Sequence, residues 1–260
     1  AGLMAGATAA LYGASVTIIE KNKRVGRKIM ITGKGRCNLA NNCDVQTFIN
    51  NVPVNGRFLY SAINAFTPED TIEFFESKGL KTKTERGNRV FPASDKSVDV
   101  VDTMHDYAVE SGCKIVCDTA NALILEDGAV IGVKCEENTY YADSVIICCG
   151  GKSYPLTGST GDGYTLAKQA GHTIVPLKPS LVPFTSGDKQ CKDMQGLALK
   201  NVALRIVDKN SKKAVYSDFG EMLFTHFGMS GPMILSASSH IRDIQPDRYI
   251  AEIDLKPALD

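Results

Sequence analysis

Two glycine-rich stretches hold the side chains best suited to chemistry. Residues 26–42, GRKIMITGKGRCNLANN, pack Gly26, Gly33 and Gly35, the cations Arg27, Lys28, Lys34 and Arg36, and three asparagines into one loop-like segment. Glycine permits positive φ and close approach of a ligand to the main chain, and clustered Lys and Arg neutralise phosphate oxygens. A solvated basic loop has the same composition. Residues 157–163, TGSTGDG, form the second stretch, with Gly158 and Asp162 in it, and feed a helix expected over residues 164–170. Free N–H groups at a helix start receive anions. The GK[ST] ending of a Walker loop is absent, and a mobile surface turn is the alternative reading.

The elements before these stretches decide what they can bind. Residues 1–13, AGLMAGATAALYG, are small and apolar and read as a helix ended by Gly13. Glycine inside a helix costs about 1 kcal/mol, so Gly2 and Gly6 call for close helix-to-strand packing. Residues 15–20, SVTIIE, are a β-branched run closed by Glu20. A small-residue helix followed by a strand ending in an acid is the second half of a dinucleotide-binding βαβ unit. In that unit the last glycine lets the helix lie close, and an acid about 20 positions on accepts from the ribose. Gly2 takes the first role and Glu20, eighteen residues later, the second. Any buried helix–strand pair shares this half-pattern. The chain starts inside a helical pattern and stops after a strand at residues 249–255, so it reads as a fragment whose first strand lies upstream.

With 260 residues and 43% hydrophobic content the chain supports a full core, one large domain and part of another. Its 29 basic and 29 acidic residues cancel, so no global field draws it to nucleic acid or a membrane. The eight cysteines have neither disulfide-scaffold nor zinc spacing and read as reduced thiols of a cytoplasmic protein, with no metal site. No apolar stretch approaches the roughly 20 residues of a membrane span.

Further along, Thr67-Pro-Glu-Asp70 is a helix start and Gly79 its stop. A hairpin is expected around residues 85–88, a helix over 97–111, and short strands at 113–117, 121–125, 129–135 and 139–142. Residues 144–149, SVIICC, read as an apolar, parallel central strand running into Gly150 and Gly151, where clefts of open α/β sheets lie. Prolines at 176, 179 and 183 mark a domain boundary. The resulting domains are 1–178 and a β-rich 179–260, with antiparallel strands at 198–208 and 213–217. His105 reads as a surface or packing residue. His226, between phenylalanines, reads as a satisfied core histidine before a catalytic one.

The half fingerprint at Gly2 and Glu20, residues 26–42, GNRVFPASDKS at 87–97, GGKSYPLTGSTGDGY at 150–164 and GEMLFTHFGMSGPMIL at 220–235 resemble bacterial NAD(P)/FAD-dependent oxidoreductases of the BaiN and aminoacetone-oxidase-like family. The resemblance covers nearly the whole chain. It implies an α/β, two-dinucleotide-binding-type FAD domain of Rossmann kind, with an inserted β-rich domain and a helical cap, here truncated at both termini. By that likeness Gly2 closes the pyrophosphate loop, Glu20 holds the adenosine ribose, Lys21 lies in the cofactor site, and Arg27 with Lys28 flanks the adenosine and phosphates. Gly33, Gly35, Arg36, Cys37 and Asn38 line the route to the flavin, with Arg36 near its pyrimidine edge. Ala120 offers backbone to adenine where relatives have valine, and Gly150, Gly151, Gly158 and Asp162 complete the cofactor wall. Cys148 and Cys149 replace the usual Ala-Thr before the two glycines.

The family's chemistry implies FAD as cofactor, NAD(P)H as electron donor and a small-molecule substrate, reduced at an activated C=C bond or oxidised through the flavin. Catalytic residues are unassigned, with His226 the best-placed titratable group of the inserted domain. Reduction of a ribosomal RNA uridine is a third family activity. A non-catalytic nucleotide- or RNA-binding module would rest on the basic run of residues 21–36, against the balanced net charge.

Overall fold

The structure is a computed structural model that describes residues 1–241 and 243–258, in two compact units, Ala1–Val175 and Pro176–Asp260. In the first unit α1 (Gly2–Leu11) leads into β1 (Thr17–Glu20). Gly13, at φ 91°, turns the chain out of the helix, while Gly13 N–H bonds to Ala10 and Ala14 N–H to Ala9, which satisfies two carbonyls the helix leaves open. The close helix-to-strand approach falls at Gly6, where a Cβ would meet Ile18 Cδ1 at 2.8 Å. Gly2 instead faces Cys148, its Cβ position 3.4 Å from the cysteine Cβ.

Residues 26–42 are not a loop. They form α2 (Arg27–Ile31), a tight turn over Thr32–Gly35 with Gly33 and Lys34 left-handed, and β2 (Ala40–Asn41). The apolar Ile29, Met30 and Ile31 between the glycines continue the turn that Gly26 starts, and Ser97 Oγ donates to the Met30 carbonyl at 3.0 Å to hold it. Beyond lie α3 (Val45–Asn50), α4 (Tyr60–Ala65) and α5 (Pro68–Ser77), the last opened by reciprocal Thr67 and Asp70 hydrogen bonds. Strands β3 (Thr82–Glu85) and β4 (Arg89–Pro92) form the expected hairpin, and β2 pairs with β4.

Helix α6 (Ser97–Glu110) packs on α1, and β5 (Lys114–Cys117) pairs in parallel with β1, placing Glu20 opposite Cys117. A meander follows: β6 (Ala120–Glu126), β7 (Ala129–Cys135) and β8 (Thr139–Tyr141). Residues 144–149, expected as a central strand, take part in no ladder among the described residues, and Ile146 is 64% exposed. An apolar run becomes a strand only where neighbours take its N–H and C=O groups, and here it passes between helix starts instead. Helix α7 (Asp162–Gln169) begins two residues earlier than expected.

The second unit holds β9 (Phe184–Thr185), α8 (Lys189–Asp193), β10 (Ala198–Asp208), β11 (Lys213–Thr225), β12 (Gly228–Ser230), α9 (Pro232–His240) and β13 (Tyr249–Asp254). Its sheet runs β13-β10-β11-β12-β9, antiparallel throughout. Alternation along β10 sends Val202, Leu204 and Ile206 to one face, where they pack with Met222, Phe224 and α9's Met233, Ile234 and Ala237. β11 runs eight residues beyond the expected 213–217 because its alternation continues to Phe224. His226, expected in the core, is exposed in the two-residue turn before β12, edge-on to Phe227 at 4.9 Å.

Candidate dinucleotide site

The carboxyl end of β1 gathers most of the residues the sequence singled out. Glu20 Oε1 accepts from the Asn22 backbone N–H at 2.9 Å and its amide Nδ2 at 2.6 Å. Arg27 Nη1 donates to Asn22 Oδ1 at 2.8 Å, so acid, amide and guanidinium form one chain of contacts. Lys21 Nζ reaches across to Thr160 Oγ1 at 2.8 Å and Asp162 Oδ2 at 2.5 Å. The Lys21 ammonium, with the Thr160 hydroxyl, holds the Asp162 carboxyl below its usual range. Lys28 Nζ donates to Ser153, backbone and hydroxyl, and lies over the Tyr154 ring.

The glycine-rich loop fits this end because it lacks side chains where it touches. At Gly158, φ 95°, a Cβ would stand 2.7 Å from Asn22 Nδ2 and 3.2 Å from Lys21 Cε. A Cβ at Gly150 would stand 3.3 Å from Ser159 Oγ, and one at Gly151 3.5 Å from the Tyr164 hydroxyl. Residues 147–150 thread between two helix starts: Cys148 meets Gly2 of α1, while Ile147 and Cys149 meet Gly163 of α7 at 3.3 and 3.4 Å. Neither start carries a side-chain cap. Two helix starts with open N–H groups and partial positive charge therefore lie on either side of residues 147–150, a setting for anionic oxygens. Partial desolvation, then the Asp162 charge, raises the Cys149 thiol pKa.

A cavity of about 410 Å³ opens past the ends of β1 and β5, lined by Glu20, Asn22, Val25, Val101, His105 and Cys117 among others. Parallel sheets bind ligands past these ends. Ala120 begins β6 opposite Cys135 and packs beside Leu123 and Val133, outside that lining. Gly33, Gly35, Arg36, Cys37 and Asn38 form a second cluster on the β2-β4-β3 sheet. There Arg36 bonds Glu85 at 2.5 Å and Asp95 at 2.7 Å and stacks 4.1 Å from the Phe91 ring. Lys83 adds a 2.6 Å pair to Asp95, and these cations, Lys83 foremost, depress the Asp95 carboxyl. The Asn38 amide nitrogen reaches the Val90 and Ala40 carbonyls at 3.2 and 2.9 Å. Arg36 is a clasp between strands here, its guanidinium committed to two carboxylates.

Sequence reasoning missed Asn22, Thr160 and Asp118. Asx residues two positions past a strand-end acid signal the first, but nothing local flags Asp118. Burial pushes its carboxyl up, yet N–H donors from Glu137 and Thr119, with the Asn138 amide and backbone, outweigh this and hold it low. It ties the end of β5 to the β7–β8 turn through bonds of 2.8 to 3.4 Å. In the second unit, burial and then Asp218 push the Tyr216 hydroxyl up to about 12. Among the described residues, none gather as three or more metal ligands, and no helix is long and apolar enough to cross a membrane.

The chain is 31% identical over 229 residues to the 3-dehydro-bile acid delta(4,6)-reductase of Clostridium scindens, an alignment covering 88% of the chain and 54% of that relative. It is 29% identical to the ribosomal RNA dihydrouridine synthase of Haemophilus influenzae, covering 99% of the chain and 62% of the relative. The chain thus spans between half and two thirds of the length of these relatives. The crystal structure of Thermovibrio ammonificans THI4 superposes with a TM-score of 0.47 at 16% identity, over 91% of this chain and 74% of that one. The profile of the HI0933-like protein Rossmann domain matches residues 1–237, and the chain belongs to that family.

Proposed function

We propose that this chain forms the dinucleotide-binding part of an FAD-dependent oxidoreductase that takes electrons from NADH or NADPH and reduces an activated C=C bond of a small molecule. The observation that carries the reading is the convergence of Glu20, Lys21, two uncapped helix starts and the Gly158 loop on the carboxyl end of β1. Family membership supports it. So do the relatives' names, since a bile-acid reductase and a dihydrouridine synthase both denote saturation of a double bond next to a carbonyl.

FAD, when bound, supplies hydride transfer, and the chain supplies position and charge. Asn22 fixes the orientation of the Glu20 carboxylate, whose remaining lone pairs are suited to ribose hydroxyls. The start of α1 and Lys21 neutralise the diphosphate. The Arg36 clasp ties the chain between the Gly33 turn and β2, Asn38 included, to Glu85 of β3 and to Asp95.

The test is anaerobic. NADH or NADPH should bleach the flavin of the purified protein, and an α,β-unsaturated ketone should restore its colour. Failure of both nicotinamides overturns the donor, and reoxidation by oxygen alone points to the oxidase mode. Ribosomal RNA as the sole effective acceptor moves the substrate to the reading that the 29% identical relative supports.

A further inference from the structure

Lys21, one of the residues expected at the cofactor, is held by the protein's own carboxylate. Its ammonium lies 2.5 Å from Asp162 and 2.8 Å from Thr160, while the loop between them is pinned at Gly158 on Asn22 and at Ser153 on Lys28. Residues 150–162 therefore lie as a strap over the carboxyl end of β1. We propose that Asp162 and a diphosphate compete for Lys21, so that a dinucleotide lifts the strap by taking the ammonium for itself; this rests on the cofactor reading above.

Three observations support an exchange rather than a fixed bond. The Lys21 and Asp162 side chains are 28% and 39% exposed, so the pair parts without stranding a buried charge. Asp162 occupies the first turn of α7, where the helix start stabilises an anion after Lys21 has left. A diphosphate ester carries two charges against one for a carboxylate and outbids it for the same ammonium. Thr160 accepts from Lys21 in the closed form and donates to Asp162 Oδ1 at 2.7 Å, which keeps the carboxylate aimed at the lysine.

The strap makes Asp162 a competitor of the ligand, which a purely structural ion pair is not. Calorimetric titration of the apoprotein with ADP and with adenosine separates the two. Asp162→Asn should bind ADP about two- to fivefold more tightly, the range an exposed pair commands, with adenosine unchanged. Thr160→Val, which keeps the helix-start charge, should shift ADP affinity the same way by less. Lys21→Met should weaken ADP binding and leave adenosine unchanged. If folded Asp162→Asn and Thr160→Val bind ADP no better than the wild type while the wild type binds FAD, the strap is wrong and the cofactor reading stands. If the wild type binds neither ADP nor FAD, both fall.

Discussion

The Lys21 ammonium and the Asp162 carboxylate meet at 2.5 Å across 141 residues of chain, and that contact joins the end of β1 to the start of α7. The glycines of the 158–163 loop, the helix starts and Glu20 are arranged around it. Each element of the arrangement can be disturbed separately.

Gly158 lets the strap lie on β1. A side chain there faces both a left-handed backbone, which costs about 1–2 kcal/mol, and the Asn22 amide at 2.7 Å. Gly158→Val is expected to weaken FAD binding by about tenfold or more through that cost while the far-ultraviolet circular dichroism stays unchanged. Fluorescence titration of the apoprotein with FAD measures it.

Gly6 sets the spacing of α1 from β1. Gly6→Val drives a side chain into Ile18, whose Cδ1 lies 2.8 Å from the Cβ position, and overpacking of this kind costs about 1–3 kcal/mol. Because Ile18→Val removes that Cδ1, the double variant should recover part of the loss. Urea denaturation of the four proteins in the cycle reports the coupling.

Asp118 is held ionised by its donors, so its pKa in the folded chain lies below its unfolded value. Its stabilisation is complete above the ordinary carboxylate range near pH ~4 and disappears as pH falls through the lowered value. Asp118→Asn, which points an amide N–H at N–H groups, should lower Tm by several degrees at neutral pH. The gap from wild type should narrow in acid, as thermal scans from neutral to acid pH would show.

The core of the second unit rests on residues with no exposure. Leu204 is 0% exposed between the β10 ladder and α9. Leu204→Ala should cost about 2–5 kcal/mol by chemical denaturation, with Leu204→Met costing less than about 1.5.

Local rules carried much of the fold. Thr67-Pro-Glu-Asp70 announced the capped start of α5, Gly13 and Gly79 announced helix ends, and the spacing of Gly2 and Glu20 announced the α1–β1 unit. What was not legible depends on distant partners. The partners of Arg36, Glu85 and Asp95, lie 49 and 59 residues away, and no local pattern announces them. Residues 144–149 have the composition of a central strand, but no ladder receives them among the described residues. His226 has apolar sequence neighbours yet stands in a turn, because alternation along β11 buries Met222 and Phe224 and ends there. Gly6 rather than Gly2 takes the tight contact, a distinction set by which helix face meets Ile18.

The central claim is that this site holds a flavin dinucleotide, and the visible absorbance spectrum of the purified protein tests it most directly. The account predicts flavin bands in the preparation, or their appearance with a shifted spectrum when FAD is added to a colourless one, and a marked loss of that binding in Glu20→Ala. A folded, colourless protein that FAD does not reconstitute would contradict it.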